Sequence, residues 1–198
     1  MINVNRYPIL ILSSPRTGST AFGAYIQKLI GNDVHYFLEP DYDGPDHMEH
    51  FETYFKDNKK FILKAHLYNL HLYNTNIVEY LTESKEVFKI RIRRRNIIEQ
   101  ISSLYIAMIR KNAWHFRNKE STQFSDTIPK DVMLLIKCIQ IIKNSNSLIN
   151  NTKIQFDQDL FYEDLVDLGD VGFYKSPEPS NYSDILDFVK SNLIHTEY

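Results

Sequence analysis

The feature that most constrains the fold is a run of four apolar residues, Ile9 to Leu12, which breaks into a polar loop containing Gly18. An unbroken aliphatic run of this length is typical of a strand that is buried on both faces, as in a parallel sheet. Apolar residues then recur at helical spacing from Phe22 to Ile30, and Gly31 supplies a helix stop. The order strand, glycine loop, helix predicts an α/β fold.

Further short segments rich in β-branched and aromatic residues alternate with helical patterns along the chain. The predicted strands are Val34 to Leu38, Phe61 to Ala65, Val87 to Ile92 and Lys153 to Phe156. The predicted helices of the second half run from Ile97 to about Phe116, from Val132 to about Ile149 and from Tyr182 to Leu193. This alternation predicts a parallel β-sheet flanked by helices.

Composition limits the classes of protein that this pattern can serve. A chain of 198 residues with 43% hydrophobic content can bury one core, so we expect a single domain over residues 1–198. The formal net charge of −2 provides no global basic field, and no nucleic-acid partner is expected. The single cysteine, Cys138, excludes an intramolecular disulfide and indicates a reducing compartment. The first apolar run is too short for a signal peptide or a membrane span, which predicts a cytoplasmic protein.

The loop after the first strand has the chemistry of an anion site. It lies where a buried strand turns into a helix, so backbone N–H groups converge at the helix N-terminus. A capped loop of purely structural role is the alternative. The spacing of an ATPase phosphate loop is absent, and no strand ends in the Asp that would hold Mg²⁺, which favours a metal-free donor. The candidate binding residues are Pro15, Arg16, Thr17, Gly18, Ser19 and Thr20.

A second basic segment follows the predicted strand that ends at Ile92. Three arginines, residues 93–95, precede Asn96, which is a plausible helix N-cap with Glu99 three positions later. Ser102 and Ser103 come two turns into that helix, where a hydroxyl can face an anion held by arginine. A solvated charge run with surface serines is the alternative.

Both segments resemble motifs of the sulfotransferases that use 3′-phosphoadenosine-5′-phosphosulfate (PAPS). Residues 15–20 look like the 5′-phosphosulfate loop of that family, commonly P-[KR]-[ST]-G-[ST]-[ST]. Arg95 and Ser103, eight positions apart, resemble the pair that binds the donor's 3′-phosphate, with Ser102 as a reserve candidate. The tryptophan that stacks on adenine in cytosolic relatives is replaced by Ala21 and Phe22, so the stacking residue is unassigned.

The resemblance also supplies candidates for the catalytic base. Lys64-Ala65-His66-Leu67 resembles the Lys-Thr-His-Leu segment that holds the catalytic histidine of cytosolic sulfotransferases. Glu39, in Phe37-Leu38-Glu39-Pro40, resembles the glutamate that serves as base in several carbohydrate and bacterial members. His66 ranks slightly ahead, and the two side chains could share the site as base and orienter. Lys64 and Arg16 are the cations expected to meet the charge on the transferring sulfuryl group, without a metal.

Two weaker matches extend the resemblance along the chain. Residues 162–165, Tyr-Glu-Asp-Leu, resemble a family segment that opens a helix near the end of the core. Lys175 lies where relatives carry a basic loop over the nucleotide and is a candidate phosphate contact. The resemblance implies a P-loop nucleotide-hydrolase-like architecture.

The implied reaction is sulfuryl transfer from PAPS to a hydroxyl or amine of a small-molecule or carbohydrate acceptor, with release of 3′-phosphoadenosine-5′-phosphate (PAP). Two alternatives use the same anion sites. One is a P-loop nucleotide or small-molecule kinase, and the other is a non-catalytic module that binds nucleotide or a polyanionic glycan. The acceptor and the oligomeric state have no signal in the sequence.

Overall fold

The computed structural model describes residues 6–31, 33–40, 45–110, 127–166 and 178–194. These residues confirm the predicted fold class, since a five-stranded, all-parallel sheet is flanked by helices. The chain divides into two compact units. The first comprises Met1–Arg95 and Ser145–Phe173, and the second comprises Asn96–Asn144 and Tyr174–Tyr198.

The sheet belongs to the first unit. Its strands are β1 (Ile9–Ser13), β2 (His35–Leu38), β3 (Phe61–His66), β4 (Phe88–Arg93) and β5 (Gln158–Phe161). Their spatial order is β2-β3-β1-β4-β5, and each neighbouring pair is parallel. After β1 the chain forms the edge strand β2 and returns to β3 beside β1, and it then crosses to β4 and β5 on the other side of β1. A topological switch point therefore lies at the carboxyl end of β1.

Helices connect and follow the strands. They are α1 (Ser19–Ile30), α2 (Pro45–Asp57), α3 (Thr75–Glu83), α4 (Ile97–Ile109), α5 (Val132–Asn151), α6 (Tyr162–Val166) and α7 (Tyr182–Ile194), with a 3₁₀ helix over Leu67–Leu72. Asn96 caps α4 as predicted, because its side chain accepts a hydrogen bond from the Glu99 backbone N–H.

The first four predicted strands are confirmed, and none of their ends moves by more than one residue. The fifth prediction, Lys153 to Phe156, is wrong, since those residues form no strand and β5 begins at Gln158. Ile154 and Phe156 pack against the core of the first unit, so their alternation reports side-chain packing and not strand pairing. The helix predicted from Ile97 to about Phe116 ends at Ile109, and residues 111–116 lie outside the described residues.

Both faces of β1 are buried, which explains its unbroken aliphatic sequence. Leu10 and Leu12 belong to one apolar cluster of the first unit, and Ile9 and Ile11 belong to another. Successive side chains of a strand point to opposite faces, so each face of the sheet has its own core. The second unit has a separate cluster formed by α4, α5 and α7.

Helix α5 is the one described helix that is long and apolar enough to cross a membrane by length and composition. A third of its most apolar window, 33%, is buried. The core helix of a globular protein passes the same test, so this property is a weak indication by itself.

Candidate functional site

The predicted site residues of the first unit follow the carboxyl ends of neighbouring parallel strands. The glycine loop follows β1, Glu39 follows β2, His66 ends β3 and Arg95 comes two residues after the end of β4. The carboxyl ends of parallel strands meet at one edge of a sheet, which is where open α/β sheets bind their ligands.

The loop between β1 and α1 has the backbone that an anion site requires. Gly18 adopts a left-handed conformation (φ 70°) at the N-terminus of α1 and provides no side-chain cap for the helix. The first N–H groups of an α-helix lack intrahelical partners, so an uncapped first turn presents donors to a ligand. Arg16 is also left-handed, with φ 63°, which is uncommon outside glycine.

Buried hydroxyl groups hold this loop in shape. The Ser13 hydroxyl donates to the Ser19 hydroxyl over 2.8 Å, and the Thr17 hydroxyl donates to the Ser14 carbonyl over 3.1 Å. The Ser14 hydroxyl donates to the side-chain oxygen of Asn146 on α5. A loop tied to its own strand and to a helix keeps its donors in place before a ligand arrives.

Three ionisable side chains meet at the carboxyl ends of β2 and β3. Glu39, Lys64 and His66 are 6%, 2% and 9% exposed. One carboxylate oxygen, Glu39 Oε1, contacts both the Lys64 ammonium and His66 Nε2, the latter at 2.8 Å. The Lys64 nitrogen also lies 3.2 Å from His66 Nε2. Buried charges persist when they are paired in this way.

The orientation of the His66 ring is set by contacts on three sides. Its Nδ1 lies 2.9 Å from the Ser13 carbonyl oxygen, which can only accept, so Nδ1 carries a hydrogen, and in the imidazolium form Nε2 also carries one and donates it to Glu39. Its Nε2 faces Glu39 and Lys64. The ring of Tyr68 stacks on it with centroids 5.3 Å apart and planes 9° apart. Both ring nitrogens therefore already have protein partners.

Positive charge is concentrated beside the glycine loop. Arg94 donates to the Arg16 carbonyl over 3.2 Å. Burial, together with the charge of Arg94, lowers the pKa of Arg16 to about 10. Burial, together with the charge of Arg16, lowers the pKa of Lys64 well below its ordinary value. These shifts mean that the fold holds cations close together in a desolvated place, and an added anion would relieve that repulsion.

The loop residues at either end of the motif are packed against the first unit. Pro15 is buried, and the Thr20 carbonyl accepts a hydrogen bond of 3.1 Å from the Tyr36 hydroxyl on β2. The Tyr36 hydroxyl thus ties the first turn of α1 to β2.

Arg95, the candidate for the donor's 3′-phosphate, is held by helix α6. Its guanidinium makes a two-pronged pair with the Asp164 carboxylate, at 2.6 and 2.8 Å, and its backbone N–H donates to Glu163. The hydrogen bonds that Arg95 donates to Asp164 raise the pKa of Arg95. The Tyr-Glu-Asp-Leu segment does open a helix, as predicted, and its carboxylates also fix this arginine.

The remaining candidates lie elsewhere in the chain. Ser103 and Ser102 are on α4, which belongs to the second unit. Ser102 is fully buried, and its hydroxyl has no hydrogen-bond partner within the described part of the chain. Lys175 falls outside the described residues.

Several residues of this edge were missed by the sequence analysis. Arg94 contacts the loop, although the family motif drew attention to its neighbour Arg95. Ser13 and Ser14 could have been recognised from the sequence, because two small polar residues directly follow a buried apolar run. Asn146 had no such signal, because it is 132 positions away from Ser14 and sits in an ordinary helical pattern.

In comparisons with known proteins, no family model matches the chain and no curated protein matches it.

Within the described residues, no group of three or more His, Cys, Asp or Glu side chains is placed to hold a metal ion.

Proposed function

We propose that this protein transfers a sulfuryl group from PAPS to a hydroxyl or amine of a small-molecule or carbohydrate acceptor and releases PAP. The observation that carries the proposal is the buried cluster of Glu39, Lys64 and His66 at the sheet edge that also carries the Gly18 loop. An anion loop supplies the donor site, and a buried carboxylate shared by two nitrogen bases supplies proton-transfer chemistry.

Residues 15–20 would hold the donor's 5′-phosphosulfate, with their backbone N–H groups and hydroxyls as donors. Arg16 and Lys64 would meet the negative charge on the sulfuryl oxygens and on the bridging oxygen as it leaves. The lowered pKa values of these two cations support this role, because a neighbouring anion favours their charged forms.

Arg95 and Ser103 would bind the 3′-phosphate, and Lys175 is a further proposed phosphate contact. A phosphate dianion binds arginine in the same two-pronged manner as the Asp164 carboxylate does in this structure. Donor binding would therefore require the 3′-phosphate to compete with Asp164 for the Arg95 guanidinium.

Glu39 is the base in this proposal, and His66 orients it. His66 was the first choice from the sequence, but its ring nitrogens face the Ser13 carbonyl and Glu39. Glu39 would take the acceptor's proton while the acceptor oxygen bonds to sulfur. The bond from sulfur to the bridging oxygen then breaks, and the electron pair stays on the 5′-phosphate of PAP.

The test is a thermal-unfolding series with PAP, PAPS, ATP and GTP. PAP should raise the melting temperature, because a ligand that binds only the native state at 100 times its Kd stabilises it by about 2.7 kcal/mol. Arg95→Ala should weaken binding of PAPS more than binding of adenosine 5′-phosphosulfate, which lacks the 3′-phosphate. Arg6→Ala, which removes another exposed arginine with an aspartate partner, is the matched control.

Three outcomes would contradict the proposal. A shift with magnesium ATP and none with PAP would select a kinase. A shift with PAP but no sulfuryl transfer to any acceptor would select a non-catalytic binding module. Equal losses for both donors in Arg95→Ala would remove Arg95 from the 3′-phosphate site.

A further inference from the structure

A cleft of about 340 Å³ lies between the start of the 3₁₀ helix and the last turns of α5, within the first unit. Its lining residues are Leu67, Ser147, Leu148, Asn151 and Thr152. This volume is within the range of clefts that bind small molecules, roughly 300–1,000 Å³.

On each side of the cleft, one lining residue is the sequence neighbour of a residue that contacts the candidate site. Leu67 directly follows His66, whose ring faces Glu39. Ser147 directly follows Asn146, which accepts the hydrogen bond from Ser14 of the glycine loop. The cleft is therefore bounded by the two segments that hold the proposed base and the proposed donor loop.

Among the described residues, those that line the cleft include no ionisable side chain. Hydroxyl groups come from Ser147 and Thr152, and an amide comes from Asn151, which donates to the Ser147 hydroxyl over 3.2 Å. Leu148 is 48% exposed and offers an apolar surface beside them. Hydroxyls and amides exchange hydrogen bonds with sugar hydroxyls, and aliphatic side chains pack against the C–H face of a sugar ring.

A charged ligand would bind less favourably in this cleft than a neutral one. It would lose part of its hydration in the cleft, and none of the lining side chains in the described part of the chain carries a charge that could replace that hydration. These neutral lining residues therefore favour uncharged ligands over charged ones.

We infer that this cleft is the acceptor subsite and that it selects an uncharged polyhydroxyl compound, a neutral sugar or its glycoside. The inference rests on the proposed sulfotransferase function and adds the substrate class to it.

The experiment compares a neutral glycoside with two others that have the same phenyl aglycone and each carry one charged substituent on the sugar ring. They are phenyl β-glucoside, phenyl β-glucuronide and phenyl 2-amino-2-deoxy-β-glucoside. With PAPS as donor, the neutral glucoside should have the lowest KM. Leu148→Ala should raise its KM about fivefold through lost apolar contact and leave kcat nearly unchanged.

A matched pair of isosteric variants then tests the neutral lining. Asn151→Asp adds a negative charge inside the cleft, and Gln155→Glu adds the same charge at an exposed position outside it. Asn151→Asp should lower KM for the amino glycoside and raise it for the glucuronide, each about fivefold. Gln155→Glu should change neither.

The outcomes separate the two claims. If PAP stabilises the protein and sulfuryl transfer occurs, but a charged glycoside is preferred or the two isosteric variants behave alike, the inference is overturned and the proposed function stands. If PAP gives no stabilisation, the proposed function fails and the acceptor subsite fails with it.

Discussion

At the residue scale, two unfavourable features meet at Glu39. Its side chain is buried, and its backbone is left-handed with φ 45°, a conformation that is costly for a residue other than glycine. Its N–H donates to the Lys64 carbonyl over 2.9 Å, which holds the strained backbone in place. Strain of this kind is concentrated at functional sites, where the surrounding structure over-determines it.

Glu39→Gln should abolish most turnover and retain donor binding. The amide keeps the shape of the side chain but does not take a proton from the acceptor, so kcat should fall by about 10²–10⁴-fold. Steady-state kinetics with PAPS, together with PAP binding by calorimetry, measures both effects. Glu83→Gln, at an exposed position on α3, is the control. Unchanged turnover in Glu39→Gln would return the role of base to His66.

Gly18→Ala should weaken donor binding because the loop needs a left-handed residue at this position. An alanine there costs about 1–2 kcal/mol of strain, which the loop can relieve only by moving its backbone donors. Gly31→Ala, at the C-terminus of the same helix, where the glycine also has a positive φ (107°), is the matched control. Both variants should lose stability in chemical denaturation, and only Gly18→Ala should lose PAP affinity. Equal PAP affinity in the two variants would contradict the assignment of the loop.

At the element scale, helix α1 and strand β2 are joined by a close contact at Gly23. A Cβ added at Gly23 would lie 2.4 Å from the Tyr36 hydroxyl oxygen and 2.5 Å from the ring carbon that bears it. The same hydroxyl donates to the Thr20 carbonyl one turn earlier on α1. The tyrosine ring thus crosses the helix where only glycine leaves room for it, and this positions the helix that begins at the anion loop.

Gly23→Ala should destabilise the protein by about 1–3 kcal/mol, because the added methyl group overpacks the contact with Tyr36. In a Tyr36→Ala background the same change should be neutral or slightly stabilising, since alanine favours a helix by about 1 kcal/mol over glycine. Urea unfolding of the two single variants and the double variant measures this coupling. Additive losses would show that Tyr36 is not the cause.

At the scale of the whole molecule, the positive charge of the site comes from distant parts of the sequence. Arg16 follows β1, Lys64 lies in β3 and Arg94 follows β4, while the formal net charge of the chain is −2. The folded sheet gathers these cations at one edge, and burial, together with repulsion between neighbouring cations, lowers the pKa of Arg16 and of Lys64. The fold thus creates a local positive potential that attracts anions, although the net charge of the chain is negative.

The lowered pKa of Lys64 predicts that the protein takes up protons when PAP binds. Burial lowers the pKa of Lys64, and a bound phosphate favours the ammonium form and raises that pKa again. Between the lowered and the raised pKa of Lys64, binding is coupled to proton uptake, so the affinity for PAP should fall as the pH rises through that interval.

Calorimetry in two buffers of different ionisation enthalpy measures the number of protons taken up. Lys64→Met removes the titrating group and should remove this proton uptake. Proton release on binding, or an affinity that increases with pH, would contradict the coupling.

The sequence alone determined the local framework of this protein. An unbroken aliphatic run such as Ile9 to Leu12 encodes a strand that is buried on both faces. Glycine at position 18 permits the left-handed turn that follows. The predicted strands Val34 to Leu38 and Phe61 to Ala65 end directly before Glu39 and His66, and parallel strands have their carboxyl ends at one edge of a sheet. The prediction failed at Lys153 to Phe156, where apolar spacing serves packing.

Only the tertiary structure decided how these side chains pair. That Glu39 Oε1 contacts both Lys64 and His66 depends on β2 lying beside β3, and that Arg94 lies at the loop depends on β4 lying beside β1. Strand order is chosen by burial over the whole sheet, which no local pattern encodes. The contact between Ser14 and Asn146 likewise forms only when α5 packs against the sheet. Local periodicity therefore places residues on elements, and global burial decides which of them meet.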